Sequence, residues 1–194
     1  MLNPLLEQIR MCTLCQEKLP LGPRPIISAQ PNSKLLIIGQ APGSVVHKTG
    51  IPWDDKSGEN LRNWMGISAN DFYNEEITAL VPMGFCYPGK GKSGDLPPHP
   101  ECAETWHSRV LQQLPSVSLT LLIGSYAQNY YLRATKKSTL TKTVQAYNEY
   151  LPNYFVLPHP SPRNAIWQAK NPWFKTEVLP RLKEEVAKAL AEIN

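Results

Sequence analysis

The stretch KLLIIGQAPG, from Lys34 to Gly43, decides the fold class. Its four consecutive apolar residues predict a strand that is buried on both faces, and Gly39 marks the turn that ends it. Three further short apolar runs follow: a weaker one near Ile77–Val81, then Leu119–Ile123 and Tyr154–Leu157. Stretches with helical spacing lie between them. This alternation predicts an α/β fold, a single-domain three-layer α/β/α arrangement over residues 1–194 with a four-stranded, mainly parallel central sheet.

Two segments have the apolar spacing of amphipathic helices. Between Pro98 and Leu114 an apolar or thiol side chain recurs every four residues, at Cys102, Trp106, Val110 and Leu114. After Pro172 a single stripe comprises Val178, Leu179, Leu182, Val186, Leu190 and Ile193. Because proline cannot donate a helical hydrogen bond, we expect Pro180 to interrupt the last helix near its start.

Composition and charge indicate which kinds of partner this protein could have. No apolar run approaches the roughly 20 residues of a membrane-spanning helix, so no membrane association is expected. The N-terminal MLNPLLEQIR lacks the basic start and long apolar core of a secretory signal, which makes a cytoplasmic location the expectation. The net charge of +4, with lysine and arginine in the Gly/Pro-rich segments, suits a polyanionic partner.

Four cysteines are arranged in a pattern typical of metal binding. Cys12 and Cys15 form a C-x2-C pair, and 15 residues separate Cys86 from Cys102. In a cytoplasmic chain this chelating spacing favours a metal over a disulfide, and buried free thiols are the alternative. Zinc in a tetrahedron of thiolates and a 4Fe-4S cluster would use the same four ligands, and spacing does not choose between them.

Three loops of unusual composition follow predicted strands. They read GQAPG (39–43), GFCYPGKGKSGD (84–95) and HPSPRN (159–164). Since ligands gather outside the carboxyl ends of parallel strands, we expect these loops to meet at one edge of the sheet. In the third loop, Pro158 and Pro160 hold His159 in a stiff, extended turn, which would present its imidazole at a fixed position.

The order of these motifs resembles that of a known family. GQAPG, then GIPWDDKSG (50–58) and HPSPRN, together with the four cysteines, are similar to the uracil-DNA glycosylase superfamily and closest to its iron–sulfur branch, family four. The resemblance extends from Cys12 to about Trp173. It implies a monomeric hydrolase that removes a deaminated base, uracil above all, from single- or double-stranded DNA to start base-excision repair. It also implies a structural 4Fe-4S cluster on the four cysteines, with zinc as the alternative.

The resemblance assigns roles to individual residues. His159 would stabilise the departing base anion, Asp55 (or its neighbour Asp54) would position water, and Gln40 would orient water by hydrogen bonds. Structural alternatives are capping of the following helices by Asp55 and by Arg163 or Asn164. The implied base pocket comprises Gly39, Ala41, Pro42, Gly43, Trp53 and Ala79. The implied DNA contacts are Ser161, Arg163 and Asn164, with Arg163 holding a phosphate or filling the gap left by the flipped base.

Three positions depart from the family pattern. Ala41 stands where many members carry an aspartate, and Gln40 stands where family four has glutamate. Ala79 stands where the family reads uracil with an asparagine. The substrate could therefore be uracil, hypoxanthine or another deaminated base. The alternative functions are a weakly active or inactive member that binds damaged or single-stranded DNA, and a zinc-stabilised protein that acts on free nucleotides.

Overall fold

The computed structural model describes residues 1–191 and contains a central sheet of four parallel strands. The strands are β1 (Leu35–Ile38), β2 (Thr78–Leu80), β3 (Leu119–Ile123) and β4 (Tyr154–Leu157), in the spatial order β2-β1-β3-β4. Leu36 of β1 lies opposite Ala79 of β2 and Thr120 of β3. The predicted strands and their parallel arrangement are thus confirmed.

Alternate residues of each strand face opposite sides of the sheet. Leu36 and Ile38 of β1 belong to one core cluster, whereas Leu35 and Ile37 belong to a second cluster on the other face. Both faces are covered, so every strand residue except Tyr154 is buried. This two-sided burial explains why the strands read as continuous apolar runs, and it gives the predicted three layers.

Helices cover both faces of the sheet. The described residues form α1 (Leu2–Arg10), α2 (Ser44–Thr49), α3 (Lys56–Met65), α4 (Ala69–Tyr73), α5 (Pro100–Leu111), α6 (Gly124–Leu132), α7 (Leu140–Gln145), α8 (Ala165–Lys170) and α9 (Leu179–Ala191). Apolar residues of α1, α5 and α6 pack in the first cluster, and those of α3, α4, α7 and α9 pack in the second. Within residues 1–191, no helix is both long and apolar enough to span a membrane.

The last helix is interrupted where the sequence predicts. A five-residue π-helical turn, Phe174–Val178, directly precedes α9. Because Pro180 has no N–H to donate to the carbonyl of Thr176, the regular hydrogen-bond ladder is broken at this point. Val178, Leu182 and Val186 of the predicted stripe are buried, and Ile193 lies outside the described residues.

A buried histidine on α5 ties that helix to the loop after β2. His107 is 1% exposed, with its Nε2 3.0 Å from the carbonyl oxygen of Pro82 and its Nδ1 2.6 Å from the hydroxyl of Tyr131. A carbonyl only accepts, so Nε2 donates to Pro82 and Nδ1 accepts from Tyr131. Burial lowers the pKa of His107 from 6.5 to about 4, which keeps the ring neutral.

We expect this histidine to make the protein less stable in acid. In the unfolded chain His107 takes up a proton below pH 6.5, whereas the folded protein resists protonation down to a pKa of about 4. The contribution of His107 to the free energy of unfolding is therefore complete above pH 6.5. It is lost as the pH falls, and the free energy of unfolding is lower by about 2 kcal/mol at about pH 5. Urea unfolding at about pH 7.5 and pH 5 measures the difference for the wild type and for His107→Gln. An equal loss of unfolding free energy in the two proteins would contradict this assignment.

Candidate active site

A narrow cavity of ≈ 50 Å³ lies at the carboxyl edge of the sheet. Its walls are built from the loop after β1, the segment before α3 and the loop after β4, through Gly39, Gln40, Ala41, Pro42, Trp53, Asp55 and His159. The cavity shares Gln40, Ala41, Asp55, Ser57 and His159 with a broader adjoining groove of ≈ 500 Å³. Residues 90 and 93–95 of the loop after β2 also line this groove. The structure therefore brings all three unusual loops together.

His159 is a hydrogen-bond donor at the junction of the cavity and the groove. Its Nδ1 accepts a hydrogen bond from the backbone N–H of Ser161 at 3.2 Å, so the proton of the neutral ring lies on Nε2. Burial lowers the pKa of His159, and the nearby carboxylate of Asp55 opposes this by raising it. The side chain is thus a neutral imidazole whose Nε2–H remains available to a ligand.

Two asparagine amides hold the loop that carries His159. Asn164 donates to the carbonyl of His159 at 2.6 Å, and Asn60 of α3 donates to the carbonyl of Pro160 at 2.8 Å. Ser161 accepts from the backbone N–H of Arg163 at 3.3 Å, which closes a short turn. No pattern in the sequence indicates that Asn60 belongs to the site, because its partner lies 100 residues away. These bonds hold the backbone from His159 to Arg163, and so they limit the movement of the imidazole.

Trp53 forms the cavity wall beside His159. The two rings stack with centroids 5.9 Å apart and an interplanar angle of 27°. Trp53 has a φ of 58°, which is rare for a bulky residue and indicates a strained backbone held by its surroundings. A Cβ on Gly39 would lie 2.7 Å from the indole, and one on Gly58 would lie 1.8 Å from the Trp53 carbonyl oxygen. Both glycines are needed for this packing.

Asp55 and Gln40 each have a structural contact in addition to their place in the cavity. Asp55 caps α3, since its Oδ1 accepts from the N–H of Gly58 at 2.9 Å. Its neighbour Asp54 is exposed and does not line the cavity or the groove. The amide of Gln40 donates to the carbonyl of Leu96 at 3.2 Å, which ties the first motif to the loop after β2.

That loop forms a tight turn, here named the 89–96 hairpin. The N–H of Leu96 donates to Gly89 at 2.8 Å, and Lys90 and Asp95 form an antiparallel bridge. Arg163 donates to the carbonyl of Ser93 at 3.1 Å and so holds the tip of the hairpin. Asp95 was not predicted as a site residue from the sequence, where it is only the last residue of the loop GFCYPGKGKSGD. In the structure it lines the same groove as His159.

The placement of Ala79 differs from its prediction as part of the base pocket. Ala79 is completely buried in the core cluster that β1 shares with α1, α5 and α6. Leu80, the next residue of β2, faces the other side of the sheet and lines the cavity together with Pro82. Because side chains alternate along a strand, Ala79 cannot face the cavity when Leu80 does.

The four cysteines are free and lie near one another. Cys12 follows α1, Cys15 precedes a short 3-10 turn, Cys86 lies in the loop after β2, and Cys102 lies in the first turn of α5. Burial raises the pKa of Cys86 to about 11 and that of Cys102 to about 12, and the neighbouring thiols add to both shifts. The N–H of Phe85 donates to the sulfur of Cys102 at 3.3 Å. Within residues 1–191, no three or more potential ligands form a ready-made site for a single metal ion.

A sequence model of the uracil DNA glycosylase superfamily matches residues 27–183 of the chain. The matched range includes the whole sheet, all three loops of the cavity, and Cys86 and Cys102. Cys12 and Cys15 lie before it. The match therefore covers the cavity itself and half of the cysteine set.

Proposed function

Because this chain belongs to the uracil-DNA glycosylase superfamily, we propose that it is a DNA glycosylase that hydrolyses the N-glycosidic bond of a deaminated base and so starts base-excision repair. Uracil is the first candidate for that base. The observation that carries the proposal is the neutral His159, whose Nε2–H stays free at the junction of a small cavity and a larger groove.

Hydrolysis of an N-glycosidic bond needs a hydrogen-bond donor of the kind that His159 supplies. A base inside a duplex is out of reach, so the nucleotide must rotate out or be single-stranded. As the glycosidic bond breaks, negative charge builds on the base and positive charge on the sugar. A donor fixed where the negative charge grows lowers the barrier without having to reorient. His159 would donate to a base oxygen, and the Asp55 carboxylate beside it would stabilise the sugar cation.

The rim of the groove suits a DNA backbone. Arg163 and Lys90 lie along it, and Ser161 presents a hydroxyl nearby. Arg163 donates to a neutral carbonyl in this structure, and a phosphate would be a stronger, charge-assisted partner. Asn164 is bonded to the His159 carbonyl and would act by positioning that loop.

We further propose that the four cysteines bind a 4Fe-4S cluster, with zinc as the alternative. All four donors are thiols from one neighbourhood, and an N–H to sulfur bond of the kind that stabilises bound thiolates is already in place at Cys102. Around a cluster each thiolate binds a different iron atom, so the sulfurs stand farther apart than around one zinc ion. When bound, the cluster would cross-link the N-terminal segment, the loop after β2 and α5.

A base-release assay tests the proposed function. We expect the purified protein to leave an alkali-sensitive abasic site at the position of uracil in a labelled oligonucleotide, single- or double-stranded. Oligonucleotides with hypoxanthine or xanthine at that position establish the base preference, and the undamaged sequence is the control. Failure to release any of these bases would contradict the proposal. Salt-dependent binding without release would instead support a non-catalytic DNA-binding protein, which Ala41 in the first motif favours.

A further inference from the structure

The groove beside His159 contains a second carboxylate besides that of Asp55. We propose that Asp95, on the 89–96 hairpin, is a catalytic residue that accepts the proton of the attacking water, an inference that rests on the proposed glycosylase function. Asp95 comes from a segment 40 residues after Asp55, yet both carboxylates line the same groove with His159.

The position of Asp95 is held by the first and last motifs of the site. Its Oδ2 lies against the loop after β1, 3.4 Å from where a Cβ on Gly43 would be. Gln40 anchors the base of the hairpin through Leu96, and Arg163 anchors its tip through Ser93. Asp95 as a residue is exposed in the free protein, so water can reach its carboxylate although part of it is buried. DNA lying in the groove would cover it.

Asp95 is better suited than Asp55 to take up a proton. One oxygen of Asp55 is already engaged with the N–H of Gly58 as the cap of α3. Around Asp95, partial burial raises its pKa and Asp55 raises it further, whereas the charges of Arg163 and Lys90 and a hydrogen bond from the Tyr87 hydroxyl oppose the shift. A carboxylate with a raised pKa is a stronger base near neutral pH.

The proposed step balances as a hydrolysis. The bond between C1′ of the deoxyribose and the base nitrogen breaks, and its electron pair leaves with the base, whose anion His159 stabilises through Nε2–H. The water oxygen forms the new bond to C1′, and one water proton passes to the Asp95 carboxylate. Asp95 later releases this proton to solvent, and the base anion takes one up from solvent. The products are the free base and an abasic site.

Asp95→Asn separates this role from DNA binding, because asparagine keeps the size of the side chain but cannot accept the proton at the same position. We expect single-turnover release of uracil to slow by about 100-fold, while affinity for the oligonucleotide, measured by fluorescence anisotropy, stays within about threefold. Asp95→Glu, which keeps a carboxylate, should recover part of the rate. Glu177→Gln is the matched control. It removes one negative charge from an exposed side chain far from Asp95 in the sequence, and it should leave the rate unchanged.

Four outcomes would overturn the inference. Release by Asp95→Asn within about twofold of wild type would exclude Asp95 as the base. An equal loss of DNA affinity and rate would assign it to binding. If Asp55→Asn slows release while Asp95→Asn does not, Asp55 contributes to catalysis and Asp95 does not, and the proposed glycosylase function still stands. If the wild-type protein releases no base, the proposed function fails and takes this inference with it.

Discussion

Replacing His159 with alanine should slow the release of the base by about 1000-fold and change the affinity for DNA only slightly. The imidazole is held by the Ser161 N–H at Nδ1, and its loop is pinned by Asn60 and Asn164. Such a donor is oriented before the reaction starts, so its effect is concentrated in the transition state, where the base becomes an anion. The loss should therefore appear in the rate of the chemical step rather than in binding.

Single-turnover kinetics with excess protein over a uracil-containing oligonucleotide measure that step directly. His159→Gln keeps an N–H donor on a side chain of similar length, so it should retain more activity than His159→Ala. His99→Ala is the control, since His99 precedes α5 and lines neither the cavity nor the groove. A rate for His159→Ala within about tenfold of wild type would contradict the role given to this histidine.

Replacing Cys102 with serine should remove the bound iron and sulfide and destabilise the protein. A hydroxyl is a poor substitute for a thiolate as a ligand of iron, and Cys102 lies where α5 begins, next to the loop that carries Cys86. Without the cluster, the N-terminal segment loses its cross-link to the rest of the fold. For a chain of 194 residues, a loss of about 4 kcal/mol would lower the melting temperature by roughly 10 °C.

Metal and sulfide analysis of protein purified without oxygen checks this expectation. The wild type should contain about four iron atoms and four acid-labile sulfides per chain, and Cys102→Ser should contain markedly less of both. Ser108→Ala on the exposed face of α5 is the control for a change within the same helix. Stoichiometric zinc without iron would contradict the cluster and support the zinc alternative, and a wild type without either metal would contradict both.

Much of the candidate active site could be predicted from local patterns in the sequence. The prolines around His159 fixed the shape of its turn, and the glycines after β1 marked a sharp bend, so both loops could be placed at strand ends. The structure adds contacts between distant segments, which no local sequence pattern predicts. Asn60 and Asp95 reach the site only because α3 and the 89–96 hairpin fold back onto it. Ala79 could not be placed from the sequence, since a short, fully buried strand gives no sign of which residues face which side.

The sequence by itself determined the strands, their parallel arrangement and the order of the motifs, because apolar runs, turns and helix breaks depend on neighbouring residues. Only the tertiary structure decided which nitrogen of His159 carries the proton, which face of β2 meets the cavity, and which carboxylates share the groove. These features depend on contacts between segments that lie tens of residues apart. Such contacts form only when the sheet has brought the segments together.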